Sequence, residues 1–259
     1  TRYRSSAASD VYKRQAPDTA AEVTCEGEIT ITGDAELALL SGCTEWLGDL
    51  RVEGTDWSDL SGLSGLVSVS GELVIADNPA LVSLAGLESL VQVGALWIQD
   101  NTALADVESL ASLTAVSTLN VTGNHSLEAL ALPEGITGLK SVSVSESDRL
   151  ERLQLSPSMA GLTNLTIRDC PALTSLGSFD GLTSITNLFI QDNTVLTDLS
   201  GLSGLAVVDQ HLHITGNASL IALDGLEALT EAETLRIESN AVLADLSALS
   251  GLTTLDMLF

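Results

Sequence analysis

Few residues of this chain are equipped for chemistry. Against 35 Asp or Glu stand 10 Lys or Arg, 3 His and 3 Cys in 259 residues. His211 and His213 form a His-x-His pair with Asp209 close by. Histidines sharing one face of a strand hold a metal when further ligands join them. The neighbouring repeats offer Asn187, Phe189, Thr234 and Arg236 at the matching positions, so no metal site is expected. Acids recur at Asp77, Asp100, Glu146, Asp169 and Asp192. Stacked carboxylates repel unless water or a cation separates them, and loose calcium binding is the chemistry they could perform. No stretch matches the D-x-[DN]-x-[DN]-G loop of a dedicated calcium site. Polysaccharide hydrolysis needs carboxylates converging on one bond. The outer positions carry scattered Asn, Ser and Thr instead, with Arg168 as the lone central cation. No catalytic residue and no cofactor is expected. Recognition is the chemistry that remains. Trp97 and Phe189 are two of only eight aromatics, and they fall where a strand should face solvent. Exposed aromatics on a rigid face anchor proteins or sugars. Asn120, Thr166, His213 and Arg168 stand beside them as candidate partner-binding residues.

Those positions are defined by a repeat. Residues 96–110 read LWIQDNTALADVESL and residues 188–202 read LFIQDNTVLTDLSGL. Apolar-x-apolar pairs begin at Leu50, Leu73, Leu96, Leu119, Val142, Leu165, Leu188, Leu212, Leu235 and Leu258, a step of 23 residues with one step of 24. A fixed period of this size marks a solenoid. The opening L-x-I alternates with period two and reads as a short strand. The leucines that follow recur every third residue. Steady threes miss the 3.6-residue turn of an α-helix and suit a coil that turns corners through short strands or 3₁₀ segments. One rung cannot bury its leucines alone, so rungs must stack. Five residues after each strand start stand Thr55, Asn78, Asn101, Asn124, Ser147, Cys170, Asn193, Asn217 and Asn240. An inward Asn amide pairs backbone groups at the corner and stacks on the next rung, so the Asn residues of this column are expected to form a structural ladder.

Composition limits the partners. Aromatics make up 3%, so the core is Leu, Val, Ile and Ala. The formal net charge of -25 repels phosphate backbones and anionic membranes, which excludes nucleic acid. No apolar run reaches the roughly 20 residues of a membrane span. The first 15 residues hold four of the ten basic residues and lack an apolar targeting core. The stretch SSAASDVYKRQ looks like translated sequencing-adapter read-through, so residues 1–21 are expected to be a disordered tail or non-native sequence. Residues 22–259 form one solenoid, with a cap over 22–48 and rungs over 49–259. Pro133, Gly135 and Pro157 break the leucine grid and mark an irregular seam over 133–159.

The repeat resembles a leucine-rich repeat, with the Asn followed by two residues before the next Leu, as in NPAL, NTAL, NHSL, NASL and NAVL. The lead-ins VSGEL (69–73) and VGAL (93–96) resemble those of the receptor L-domain, the ligand-binding module of insulin and epidermal-growth-factor receptors. So does the opening CEGEITITGDAELALLSGCTEWLGDLRV (25–52), read as a strand at Glu28–Thr32, a cap helix at Asp34–Leu40 and a second strand lead-in after Cys43. The resemblance implies a mainly β, right-handed parallel β-helix of about ten 23-residue rungs with a short N-terminal cap helix; a leucine-rich-repeat horseshoe is the alternative. It also implies a non-catalytic binding or adhesion module of secreted or surface proteins. Cys25 and Cys43 flank the cap helix and are expected to pair, implying an oxidising compartment; two small buried thiols are the alternative. Cys170, in the Asn column, reads as a buried free thiol.

The expected function is an extracellular or cell-surface module presenting a rigid sheet face to a protein or glycan. A purely structural spacer within a larger surface protein is the alternative, and a β-helix polysaccharide enzyme a remote one. A monomer is expected, truncated after Leu258-Phe259 and able to associate end to end there. The N-x-[ST] matches at Asn120, Asn124, Asn164 and Asn217 are assigned no role, two of them being members of the inward column.

Overall fold

In the computed structural model, which describes residues 23–155, 159–179 and 181–259, the 23-residue period becomes one turn of a coil. The strands are β1 (Thr24–Glu26), β2 (Ile29–Ile31), β3 (Glu45–Leu47), β4 (Leu50–Glu53), β5 (Ser68–Ala76), β6 (Gln92–Gln99), β7 (Ala115–Thr122), β8 (Ala129–Ala131), β9 (Ser141–Ser145), β10 (Arg152–Gln154), β11 (Asn164–Arg168), β12 (Ser184–Gln191), β13 (Val207–Thr215), β14 (Glu231–Glu238) and β15 (Thr254–Leu258). Among the described residues, 13 of them form one parallel sheet in chain order, and β8 pairs with β10 apart from it. The ten residues that the period aligns, from Leu50 to Leu258, are direct register partners from strand to strand. Period and hydrogen-bond register are therefore the same thing. The fold is a mainly β, parallel solenoid of about ten turns.

The rest of each rung explains the leucines at every third residue. Ten residues past the strand start a second, minimal sheet forms from single bridges such as Ser83 with Asp106 and Ala222 with Asp245, and from the β8–β10 pair. Single 3₁₀ turns follow at Ser61–Leu63, Glu108–Leu110, Ser200–Leu202 and Ser247–Gly251. Three residues per turn put Leu81, Leu84, Leu87 and Leu90 all inward and fully buried. The α-helix of the cap, α1 (Asp34–Leu37), runs into a 3₁₀ turn at Ala38–Leu40, so the expected helix is present over its full length in two forms. The expected first strand is Ile29–Ile31, and β1 precedes it. Cys25 and Cys43 are bonded across the cap with their Cα atoms 5.8 Å apart. The main strands extend beyond L-x-I, since seven of them start four or five residues earlier. Through the irregular stretch β9 pairs in register with both β7 and β11. Residues 156–158 of that stretch, and the tail expected over 1–21, lie outside the described residues.

Inside the corner, the asparagines bond as a chain. Asn101 donates from Nδ2 to Ile75 O at 2.9 Å, and its Oδ1 accepts Asn78 N–H at 3.2 Å. The same two contacts recur at Asn78, Asn124, Asn193, Asn217 and Asn240, each Nδ2 reaching the carbonyl of the second apolar strand residue one rung back. Asn Oδ1 atoms likewise accept backbone N–H from Thr55, Asn101, Cys170, Asn193 and Asn217. Shorter side chains weaken the ladder at Ser147 and Cys170, which donate to carbonyls of their own rung, Ser145 O and Arg168 O, while the Cys170 sulfur still meets the Ser147 backbone one rung back.

The residue just before this column has a second explanation for its acids. Gly54, Asp77, Asp100, Gly123, Glu146, Asp169, Asp192, Gly216 and Ser239 all lie in the left-handed region, with φ between 52° and 71°. Glycine enters that region freely and Asp is among the few other residues that visit it. The chain reverses there to bring the Asn inward. The backbone accounts for this acidic column without a cation.

Asn101→Ala leaves the Asn78 N–H buried without a partner and removes the second donor from the Ile75 carbonyl, which keeps its ladder bond to β6. At roughly 1–3 kcal/mol for the orphaned group, the variant should lose about 2 kcal/mol of stability in urea unfolding. Asp100→Val, forced into the left-handed turn, should lose about 1–2 kcal/mol relative to Asp100→Gly, and calcium should leave the melting temperature of the unmodified chain unchanged.

Candidate binding face

Alternation along each strand puts the residues on either side of the buried L-x-I pair on the opposite wall. The register lines them up in rows across the sheet. One row runs Arg51, Val74, Trp97, Asn120, Ser143, Thr166, Phe189, His213 and Arg236. Five of the six candidate residues share it. The sixth, Arg168, lies in the row two residues further on, between Ser145 and Gln191. A third row, two residues before the first, holds Ala95, Thr118, Ser141, Asn164, Asn187 and His211. Over β6, β7, β9, β11, β12 and β13 these three rows contain no Asp or Glu, in a chain that has 35.

Two bulges bracket this strip. Register slips by one residue between Val69 and Glu72 of β5, and between Val208 and His211 of β13. The second is the extra residue of the 24-residue step; the first is compensated within its own unit and leaves no trace in the period. Bulges bend and twist a strand locally and re-aim its side chains. Trp97 sits on the first strand inside the β5 bulge and Phe189 on the last strand before the β13 bulge. Four strand spacings separate them, about 19 Å.

The side chains between the two rings are tied to one another. Gln99 Nε2 donates to Asn120 Oδ1 at 3.3 Å, Thr122 Oγ1 donates to the same oxygen at 3.0 Å, and Thr122 and Ser145 share a hydrogen bond of 3.0 Å. On the other side, Asn187 Nδ2 donates to Asn164 Oδ1 at 2.8 Å. Arg168 is held by Glu146 at 3.2 Å and Asp169 at 2.9 Å, both at the strand-end corner. The strip's one cation is therefore neutralised from outside. Among the described residues, three buried side-chain polar atoms find no partner: Trp97 Nε1, Asn187 Oδ1 and Thr234 Oγ1. Trp97 is half-buried and, with Arg51, flanks Val74, which is only 4% exposed although it points outward.

Phe189 packs edge-on against His213, ring centroids 5.0 Å apart, and His211 lies 5.5 Å from His213. Burial lowers the His213 pKa below its usual 6.5, and His211 and Arg236 lower it further against the pull of Glu238. The ring is neutral at pH 7 and works as an aromatic surface with one donor and one acceptor. Because the folded value lies below the unfolded one, the native state takes up this proton later than the unfolded chain, and acidification through 6.5 works against the fold. Among the described residues no three His, Cys, Asp or Glu side chains lie close enough together to share a metal ion.

Other features fall outside the strip. A cavity of about 580 Å³ lies at the N-terminal end, between the cap helix and the sheet, lined by Glu28, Glu36, Asp49, Arg51, Glu72 and Leu39 among others. Its Asp49 Oδ1 accepts the Glu72 N–H at 2.8 Å, and Arg51 pairs with Glu53 at 3.5 Å. Cys170 is a buried free thiol whose pKa burial pushes up to about 12. No helix among the described residues is long and apolar enough to cross a membrane.

The strand-start reading of the sequence located five candidates in one row. It located the extra residue of β13 through the 24-residue step, but it did not find the β5 bulge, which is silent in the period, nor the amide and hydroxyl network, since hydrogen bonds between rows depend on rotamers. Two measurements test the electrostatics. The His213 ring resonance should titrate with a midpoint below 6.5, and Phe189→Ala, by uncovering the ring, should move it upward. Cys170 should resist iodoacetamide in the folded chain and react fully in denaturant.

No family model and no curated protein sequence matches this chain. Among solved structures, the leucine-rich repeat domain of the type III effector XCV3220 (XopL) aligns over 83% of this chain and 77% of its own, at 16% identity and a TM-score of 0.42. The likeness is one of repeat architecture, a leucine-rich-repeat-like solenoid, which the strand register of this chain displays by itself.

Proposed function

We propose that the chain is a non-catalytic binding module that presents its outer sheet wall to a protein or glycan partner, outside the cell or at its surface. The carboxylate-free strip from Trp97 to His213 carries this reading. A surface charge of this size keeps a protein soluble and apart from its neighbours. A wall from which that charge is withheld, on a body of -25, is a surface suited to contact. The two large rings stand at the margins of the strip and the groups between them are held in fixed orientations. Fixed polar groups and rigid aromatics lower the entropy cost of binding. The acids nearest the strip, Glu146 and Asp169, are engaged with Arg168 rather than converging as a catalytic pair. The Cys25–Cys43 bond supports an oxidising location, because such bonds persist outside the reducing cytosol. The protein acts as a monomer in this reading.

Screening the chain against protein and glycan arrays tests the reading. Trp97→Ala and Phe189→Ala should each weaken the bound partner by about 2 kcal/mol, roughly 30-fold, as buried aromatic anchors do. Val82→Ala, at an exposed site off the strip, should bind as the unmodified chain does. Circular dichroism should show the same β-signature in all three. Partners that bind equally well to both ring variants would establish a spacer instead.

A further inference from the structure

We infer that the ligand of this wall is an uncharged, β-linked polysaccharide lying across the strands, along the row from Trp97 to Phe189. The inference rests on the binding-face reading and adds the chemistry of the partner.

Charge narrows the choice first. An acidic polymer meets a body of -25, and the strip's single cation is already occupied by Glu146 and Asp169. A basic protein would be drawn to the acidic corners, not to the strip that lacks acids. A protein interface also wants a contiguous buried apolar centre. Here the centre is Asn120, Ser143 and Thr166, short polar side chains between two rings, so the row forms a polar floor with an aromatic step at each end. Neutral sugars match that pattern. The C–H face of a pyranose packs on an aromatic ring, and its hydroxyls both donate and accept, as amides and hydroxyls do in return. The amide and hydroxyl groups of Asn120, Thr122, Asn164 and Asn187 are already oriented by their mutual bonds.

Spacing narrows it further. Parallel strands recur about every 4.8 Å, close to the advance of one unit along an extended β-linked hexose chain. Neighbouring sugars of such a chain are turned by a half-turn, so alternate sugars would meet alternate strands in nearly the same geometry. Trp97 and Phe189, about four strand spacings apart, would each take one sugar of the same chain. Asn187 Oδ1 and Trp97 Nε1 are buried polar atoms without partners, one near each end of this stretch.

The test uses the full chain with defined probes: a β-glucan disaccharide and hexasaccharide, a soluble mixed-linkage β-glucan, and polygalacturonate as the acidic control. Calorimetry should find the hexasaccharide bound at least about tenfold more tightly than the disaccharide, because only the longer probe engages both rings. Trp97→Ala and Phe189→Ala should each abolish that length dependence. Ser143→Asp, which places a carboxylate mid-strip without touching the core, should weaken hexasaccharide binding at least about fivefold while the fold is kept. Polygalacturonate should not bind. Absence of β-glucan binding at millimolar concentration, or binding indifferent to all three substitutions, overturns the inference. If a protein partner on the array is lost with Trp97→Ala while no neutral sugar binds, the binding wall stands and the polysaccharide falls. If nothing that binds depends on either ring, both fall.

Discussion

A side-chain amide that bonds backbone across rungs is the constraint on which this solenoid depends. A coil that turns inward after each strand leaves an N–H facing the core without a ladder partner, and water cannot reach it there. The Asn column resolves this by pairing the carbonyl of one rung and the N–H of another through one side chain. The leucines supply most of the burial free energy, but they are interchangeable hydrophobes and tolerate variation such as Val142 for Leu. The amide is harder to replace, since removing it orphans a buried N–H, although Ser147 and Cys170 stand in the column while β7, β9 and β11 keep their register. The ladder therefore reinforces the register that the strands set, and the chain reversal that brings it inward ties the left-handed residue before it to a narrow choice of Gly, Asp and their like.

That division of labour leaves the outer wall unconstrained. Every rung must supply an inward pair of apolar strand residues, an αL residue and a small polar or thiol corner residue, most often Asn. None of these requirements touches the residues between the inward pair or on either side of it. A repeat protein can therefore write a row of side chains across its sheet with little effect on stability, one residue per rung. The rows of this chain differ accordingly from end to end. Arg51 and Glu53 pair near the cap, Arg236 and Glu238 pair near the last rungs, and between them the three rows are free of acids from β6 to β13.

How much of this was legible in the sequence follows from the same division. The repeat, the inward leucines, the Asn column and the pairing of Cys25 with Cys43 were readable because each is an identity repeated at a fixed offset or anchored by the cap. The row containing Trp97, Asn120, Thr166, Phe189 and His213 was readable because register equals period. The second sheet was not, since its bridges, such as Ser83 with Asp106, involve residues with no shared type. The acidic column was visible but its cause was not, because Asp at a left-handed position and Asp at a metal site look alike in a sequence. Only φ distinguishes them. The β5 bulge was hidden because a one-residue gain in the strand lead-in was offset by a one-residue loss earlier in the same unit.

The bulges matter because they limit where the rows are straight. A parallel sheet twists steadily from strand to strand, and an extra residue in one strand adds to that twist locally. Between β5 and β13 no such residue intervenes, so the rows on β6, β7, β9, β11 and β12 form the most regular part of the wall. A rigid ligand with its own repeat can match a sheet only over a stretch of even spacing. The two large rings stand at the two ends of that stretch, and the strip's acids are missing over the same span. Aromatic placement, charge and strand regularity thus coincide on one segment of the solenoid, although the packing of the core requires none of the three.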